Sequence, residues 1–332
     1  MTDYPPVSLP RLMGGGLIVT YACPSRCAHC LYMCGPRRDH AYVDLKTARA
    51  NLRAVRRLGC RSMHIGGGEP FLNVDRLESV LRVAHEEGVY IEYVETNAAW
   101  YTGHHAACAT LEKMKRAGLS TLLISISPFH AEYIPLAKTK GLIRACRATG
   151  MEVFPWIPEF LDVVGRLDET ERHALVEYAD VLGPRYLEEM VRAYHLTPGG
   201  RALALYKSIS EPRPLAAILA EGAAGCARLT STSHFHIDNY GNYILGLCTG
   251  LAIARDDLDA PLDPRTYPVL TRLYHEGAAG LFAWAADKHE FEPASEYVSP
   301  CALCADIRGH LARRNASAEL APREFYASCE YT

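Results

Sequence analysis

The 332-residue chain has no stretch approaching the roughly 18 continuous apolar residues of a membrane span. Its first residues, Met1-Thr-Asp-Tyr-Pro-Pro, lack the basic region and apolar core of a secretion signal. There is no low-complexity tract. Charge does not lean strongly to one side: the formal net charge is -3, with 22% charged residues. Nothing marks a polybasic membrane surface, and composition gives a nucleic-acid partner no support. What the chain does have is twelve cysteines and 49% hydrophobic residues. Clustered cysteines without an export signal point to metal binding in a reducing compartment, not to a disulfide framework. The expected location is therefore cytoplasmic, and the apolar content suffices for a sizeable core.

Apolar and amphipathic runs alternate from residue 14 to about 200. The first strand is expected at Leu17–Ala22. Asp44 is a good N-cap for the next helix, in which Leu45, Ala48, Leu52, Val55 and Leu58 share a face before Gly59. Further strands are expected near Ser62–Ile65, Tyr90–Thr96, Thr121–Ser125, Glu152–Ile157 and Val191–Leu196. The helices between them are expected at Val74–Glu87, Ala106–Ala117, Ala137–Thr149 and Glu169–Leu182, each stopped at a glycine. Such β-α alternation builds a parallel sheet with helices outside. A full eight-unit barrel takes about 250 residues. Here the repeat stops near 200, which predicts an α/β fold with a partial (β/α)6, TIM-like barrel over residues 1–215. A small cysteine-rich α+β domain is expected over 216–332. It opens with a hairpin, Ser233–Leu245, turning at Asn239–Gly241, followed by helices near Pro264–Glu276 and Ala305–Arg314.

The most telling segment is Cys23-Pro-Ser-Arg-Cys27-Ala-His-Cys30, directly after the first expected strand. Three thiolates at C-x3-C-x2-C spacing can hold three irons of a [4Fe-4S] cube and leave the fourth iron open for chemistry. The bland alternatives are a structural zinc site with a distant fourth ligand and a chance cluster. Gly66-Gly-Gly-Glu-Pro70 closes the second strand, where glycine lets a ligand approach the backbone. Glu95-Thr-Asn97 closes the third and Ser125-Ile-Ser127 the fourth. The C-terminal ends of strands are where β-α barrels place their sites. Read alone, each of these is equally a turn.

Taken in order, these motifs resemble the radical S-adenosylmethionine (radical SAM) enzymes over residues 14–205. The resemblance implies that Cys23, Cys27 and Cys30 hold a catalytic [4Fe-4S] cluster whose open iron takes the amino and carboxylate groups of S-adenosylmethionine. One electron from the cluster then cleaves that cofactor to methionine and a 5′-deoxyadenosyl radical, which abstracts a substrate hydrogen. It further implies that His29, Gly67, Gly68, Glu69, Asn97 and Ser125 lie along the cofactor. Arg201, in Pro198-Gly-Gly-Arg201, offers a guanidinium for its carboxylate. Ser127 stands where the family commonly has Asp. A flavodoxin or a ferredoxin-type protein is the implied electron donor.

A second group, Cys226, Cys248, Cys301 and Cys304, supplies four thiolates, enough for a closed [4Fe-4S] cluster. This region resembles the twitch-type auxiliary-cluster domain, a shortened relative of the SPASM domain. The same ligands could instead form a tetrahedral zinc site. If Cys248 or Cys329 is a free thiol facing the site, it is a candidate hydrogen donor, and the enzyme an epimerase. If the auxiliary cluster accepts an electron, the outcome is oxidation or crosslinking. Cys60, Cys108 and Cys146 read as small core residues, and Cys34 is unassigned. His234 and His236 share one face of the hairpin strand, either lining the substrate cavity or facing solvent or core. Auxiliary-cluster relatives favour a peptide or natural-product precursor as substrate. Only about thirteen residues precede the barrel, which leaves no room for a fused peptide-recognition domain and keeps a small aminocyclitol, sugar or nucleoside in play. A non-catalytic iron–sulfur or zinc-binding protein is the alternative of a different class.

Overall fold

The computed structural model describes residues 4–327. Five parallel strands come from the first half: β1 (Gly15–Ile18), β2 (Ser62–Gly66), β3 (Tyr90–Thr96), β4 (Thr121–Ile124) and β5 (Glu152–Pro155). Between them run α1 (Leu45–Arg57), α2 (Val74–Glu86), α3 (His104–Arg116), α4 (Pro128–Ala131) and α5 (Leu136–Thr149). The caps are those the sequence offers. Asp44 accepts from Thr47 N–H at α1, and Asn73 accepts from Arg76 N–H at α2. Ala48, Leu52 and Val55 of α1 are buried against the sheet, whereas Leu45, in its first turn, is exposed. Gly150 ends α5 in the left-handed conformation.

Beyond β5 the chain is helical: α6 (Glu159–Val164), α7 (Leu175–Leu182), α8 (Tyr186–Ala193) and α9 (Ala202–Ile209). Two expectations are corrected here. The helix expected from Glu169 starts only at Leu175, because the Asp168 carboxylate accepts from both Thr170 N–H and Thr170 Oγ1 and makes a turn instead. The strand expected near Val191–Leu196 is the end of α8 and the turn after it. The adjacent Met190 and Val191 are both buried there, which departs from the alternation of a half-buried strand.

The sixth parallel strand comes from elsewhere. The short β6 (Arg213–Pro214) and α10 (Leu215–Glu221) lead to β7 (Phe235–Asp238), which pairs parallel with β1 on the side away from β2. β8 (Asn242–Ile244) and β9 (Ile253–Ala254) follow antiparallel, giving one eight-stranded sheet in the order β5-β4-β3-β2-β1-β7-β8-β9. The sheet therefore runs across residue 215. Residues beyond it complete the sheet as well as carry the second cysteine group. The chain ends in α11 (Pro268–His289), broken at Gly277, then β10 (Glu296–Tyr297) paired with β6, α12 (Pro300–Arg313) and α13 (Arg323–Ala327).

Asp238 locks β7 in place. It is fully buried, and its carboxylate accepts from Tyr21 Oη at 2.9 Å, from Tyr240 N–H at 2.9 Å and from Asn242 N–H at 2.8 Å. Its carbonyl accepts from Asn51 Nδ2 of α1 at 2.8 Å. One residue thus joins the β1 extension, α1 and the β7–β8 turn. Asp238→Ala leaves the buried Tyr21 hydroxyl and two turn amides without their acceptor. It is expected to destabilise the protein by about 2–4 kcal/mol, read as a lower urea midpoint.

Candidate active site

The loop after β1 is held from both sides. Cys23 N–H donates to Gly35 O, and Gly35 N–H to Tyr21 O, each at 3.3 Å, closing the loop on itself. At the end of β2, Gly68 N–H donates to Thr20 O at 2.7 Å and Glu69 N–H to Ala22 O at 2.9 Å. The backbones approach so closely that a Cβ on Gly68 would overlap the Ala22 carbonyl. Gly67 and Gly68 are thus required by the approach of the two segments, and Gly67 also sits at φ +135°.

Cys23, Cys27, Cys30 and the previously unassigned Cys34 all line one cavity of about 420 Å³. Gly67, Gly68, Asn97, Ser125, His29 and Arg201 line it too, so the expected site residues converge from four strand ends. Asn97 Nδ2 donates to Cys23 Sγ at 3.4 Å. Burial, and then the charge of Glu69, push the Cys23 thiol up to about 12. Cys30 lies below the ordinary thiol range because Cys34 donates a hydrogen bond to it, and the partner thiol of Cys34 is correspondingly raised.

Glu69 is placed differently from its neighbours. It is fully buried outside the cavity lining. Its carboxylate accepts from Phe71 N–H, Thr96 Oγ1 and Asn97 N–H at 3.1, 2.9 and 2.8 Å. Burial pushes it up to about 7 against those bonds. It braces the ends of β2 and β3 and positions Asn97. Arg201 grips the cysteine loop: its guanidinium donates to the carbonyls of Cys27 at 2.9 Å and Cys34 at 2.6 Å, while its own N–H donates to Cys30 O. Ser127 caps α4 and bonds His130 Nδ1 at 2.7 Å, outside the lining.

His29 forms one wall of an aromatic slot. Its ring stacks on Phe129 at 4.6 Å and on Trp156 at 6.1 Å, with His130 edge-on at 4.9 Å. Its Nδ1 is buried without a hydrogen-bond partner, and burial holds the ring neutral. Phe129 and Trp156 carry no motif, so the sequence offered no signal for them. Tyr32, also in the lining, and His64, buried on β2, were likewise unmarked.

The second cysteine group also converges. Cys226, Cys248, Cys301 and Cys304 line a cavity of about 250 Å³, which shares Leu247 with the first. Ser299 caps α12 by accepting from Ala302 N–H, placing Cys301 in its first turn and Cys304 just after it. Burial raises Cys226 and Cys301, and raises Cys304 to about 12, while Arg308 lowers Cys304 and Arg228 lowers Cys301. Among the described residues, no three of these thiols bring their sulfurs within 4.8 Å of one another. Cys60 and Cys146 are core residues as expected, and Cys108 packs half-buried against the core. Cys329 lies outside the described residues.

Residues 17–149 match the family model described as the Radical SAM superfamily. That stretch of the chain is a radical SAM domain. It is similar to a PqqA peptide cyclase of Ruegeria pomeroyi, 27% identical over 310 residues that span 83% of this chain and 77% of that protein. A PqqA peptide cyclase of Methylobacterium nodulans is 26% identical over 196 residues, 57% of this chain and 48% of that one. Among solved structures, Streptococcus suis SuiB bound to S-adenosylmethionine aligns at TM-score 0.39 and 14% identity, covering 90% of this chain and 77% of that one. BtrN in complex with AdoMet and 2-DOIA aligns at TM-score 0.44 and 14% identity, covering 82% and 89%. The protein is a radical SAM enzyme, which takes S-adenosylmethionine and a [4Fe-4S] cluster. The open loop of three cavity-facing thiols fits that cluster. No helix among the described residues is long and apolar enough to cross a membrane.

Gly68→Ala forces the Ala22 carbonyl away and is expected to cost about 1–3 kcal/mol. Because that carbonyl precedes Cys23 directly, the same variant is expected to take up less iron on anaerobic reconstitution. Urea melts and iron analysis read the two effects.

Proposed function

We propose that this enzyme modifies a peptide by oxidation or crosslinking, with Cys23, Cys27 and Cys30 holding the catalytic cluster and Cys226, Cys248, Cys301 and Cys304 an auxiliary one. The observation that carries the reading is the convergence of the two thiol sets on two cavities that share Leu247. The peptide assignment draws on the PqqA peptide cyclases to which the chain is similar. When bound, the catalytic cluster supplies the electron that cleaves S-adenosylmethionine and so begins hydrogen abstraction.

The chain's own residues do the rest. Gly67 and Gly68 present backbone at the cavity edge where the methionine end of S-adenosylmethionine would lie. Ser125 and Asn97 offer polar groups beside it. His29 and Trp156, both in the cavity lining, offer aromatic faces suited to a flat base. Arg201, occupied by two loop carbonyls, keeps the three thiols aimed inward. Glu69 holds Asn97 in register through its backbone.

Oxidation is favoured over epimerisation because Cys248 shares its cavity with three other thiols. A ligand role there supports electron acceptance rather than hydrogen donation. A flavodoxin or ferredoxin-type donor would deliver the first electron.

Anaerobic reconstitution is expected to load about eight irons per chain, four for each cluster. Cys27→Ala should lose about half of that iron and all release of 5′-deoxyadenosine under reduction. Cys248→Ala should lose iron from the second site yet still cleave S-adenosylmethionine, without forming the oxidised peptide. Deuterium moving from a labelled peptide into 5′-deoxyadenosine identifies the substrate. Absence of iron, or of 5′-deoxyadenosine, overturns the assignment.

A further inference from the structure

Two histidines of the cavity lining, His234 and His236, form a group with the buried His64 that the radical chemistry leaves unused. His64 lies on β2 and His236 on β7, both in register with Gly16 of β1 between them. A side chain on Gly16 would collide with both rings, so this glycine creates the space in which they meet. Their Nε2 atoms are 3.1 Å apart. His234, two residues before His236 and opening to the cavity, brings a third ring, its centroid 5.1 Å from that of His236 and 5.4 Å from that of His64. One ligand nitrogen from each of the three lies within 4.8 Å of the other two.

The surroundings are built for the same purpose. The pairing of β2 with β3 slips by one residue opposite His64, so two residues of β3 face one of β2. Such a bulge re-aims side chains. Tyr93 then stacks flat on His64, with centroids 5.0 Å apart, and Glu95 brings a carboxylate oxygen 3.7 Å from His64 Nε2. Gly66 makes the room for Glu95, much as Gly16 does for the histidines. On the other side, Tyr32 Oη bonds His236 Nδ1 at 2.7 Å. With Nδ1 donating to that hydroxyl, Nε2 presents its lone pair to the group, the arrangement that orients ligand histidines. Burial holds His64 and His236 neutral, and the charge of the other histidines reinforces it.

We propose that His64, His234 and His236 bind a divalent first-row cation, zinc fitting best, with the Glu95 carboxylate beside the fourth position. Two neutral imidazole nitrogens 3.1 Å apart share one hydrogen; a cation takes its place and engages both lone pairs. Nitrogens at about 2.0–2.1 Å from tetrahedral zinc stand about 3.3 Å apart, close to the spacing already present. Three imidazoles with one further position open to the cavity make a site for an oxygen donor, from water or from a substrate carboxylate or amide. The cation would anchor substrate in the cavity, on the side where Tyr32 meets His236. This inference does not rest on the identity of the substrate or on the auxiliary cluster.

The test uses the reconstituted, cluster-loaded enzyme dialysed against zinc and then against a weak chelator. Expected is one zinc per chain beyond the iron, with a zinc-edge X-ray absorption spectrum showing only nitrogen and oxygen neighbours at about 2.0–2.1 Å. His236→Gln and the cavity-facing His234→Gln, which disturbs no core packing, should each lose that zinc while keeping their iron. Tyr32→Phe should bind it 10–100-fold more weakly, as removal of an orienting partner does. No retained zinc, sulfur in its first shell, or unchanged zinc in the histidine variants overturns the proposal. Release of 5′-deoxyadenosine by the zinc-free enzyme would leave the radical assignment standing on its own.

Discussion

Two backbone hydrogen bonds, Gly68 N–H to Thr20 and Glu69 N–H to Ala22, fasten the end of β2 to the root of the cysteine loop. The rest of the site is referenced to that junction. It fixes where Cys23 begins, and the carboxylate of Glu69, drawn back under the junction, fixes Asn97 at the end of β3. Asn97 in turn donates to the Cys23 sulfur, closing a circuit of three segments around one thiol. Arg201 fastens the other end of the loop, at Cys27, Cys30 and Cys34. Because the constraint is made of backbone groups and of glycines with no side chain to yield, a small displacement at β2 moves a sulfur directly.

Burial and charge pull the thiols in opposite directions. Taking Cys23 and Cys27 out of water favours the protonated form, while the guanidinium of Arg201 favours the thiolate at Cys27. The second cavity repeats the pattern with Arg228 and Arg308. Thiolates are the ligands, so loading either site releases protons, and loading is easier where cationic side chains stand close by. Positive charge near buried thiols is therefore a property of the assembly step as much as of the finished centre.

Much of this was legible in the chain. The strand Tyr90–Thr96 is found with the expected bounds, because a long β-rich run between a glycine and a turn has few alternatives. The thiol spacing, the glycine edge, Asn97 and Ser125 were visible because each is local in sequence. What was not visible is what distance in sequence hides. Phe235–Asp238 was read as one arm of a local hairpin, which it is, but its other edge pairs with β1, more than two hundred residues earlier. Glu69 looked like a ligand and is a brace, because only packing shows which way a carboxylate at a turn is drawn. Arg201 looked free to meet a carboxylate and holds loop carbonyls instead. His64 carried no motif; its importance comes from Gly16 beside it and from a bulge in the neighbouring strand, neither of which has a signature in one sequence.

The pairing of β1 with β7 has a consequence for how the protein is made. As the chain emerges during synthesis, β1 through β5 can assemble early, for their contacts are close in sequence. Until residue 238 has emerged, however, β1 offers an unpaired row of backbone donors and acceptors beside the unfilled thiol loop. An open strand edge of this kind readily recruits foreign strands. Closing it late is slow, because the intervening chain must first be ordered. The same strand that shields this edge also brings His236 into the cavity lining, so the lining is complete only once this edge is covered.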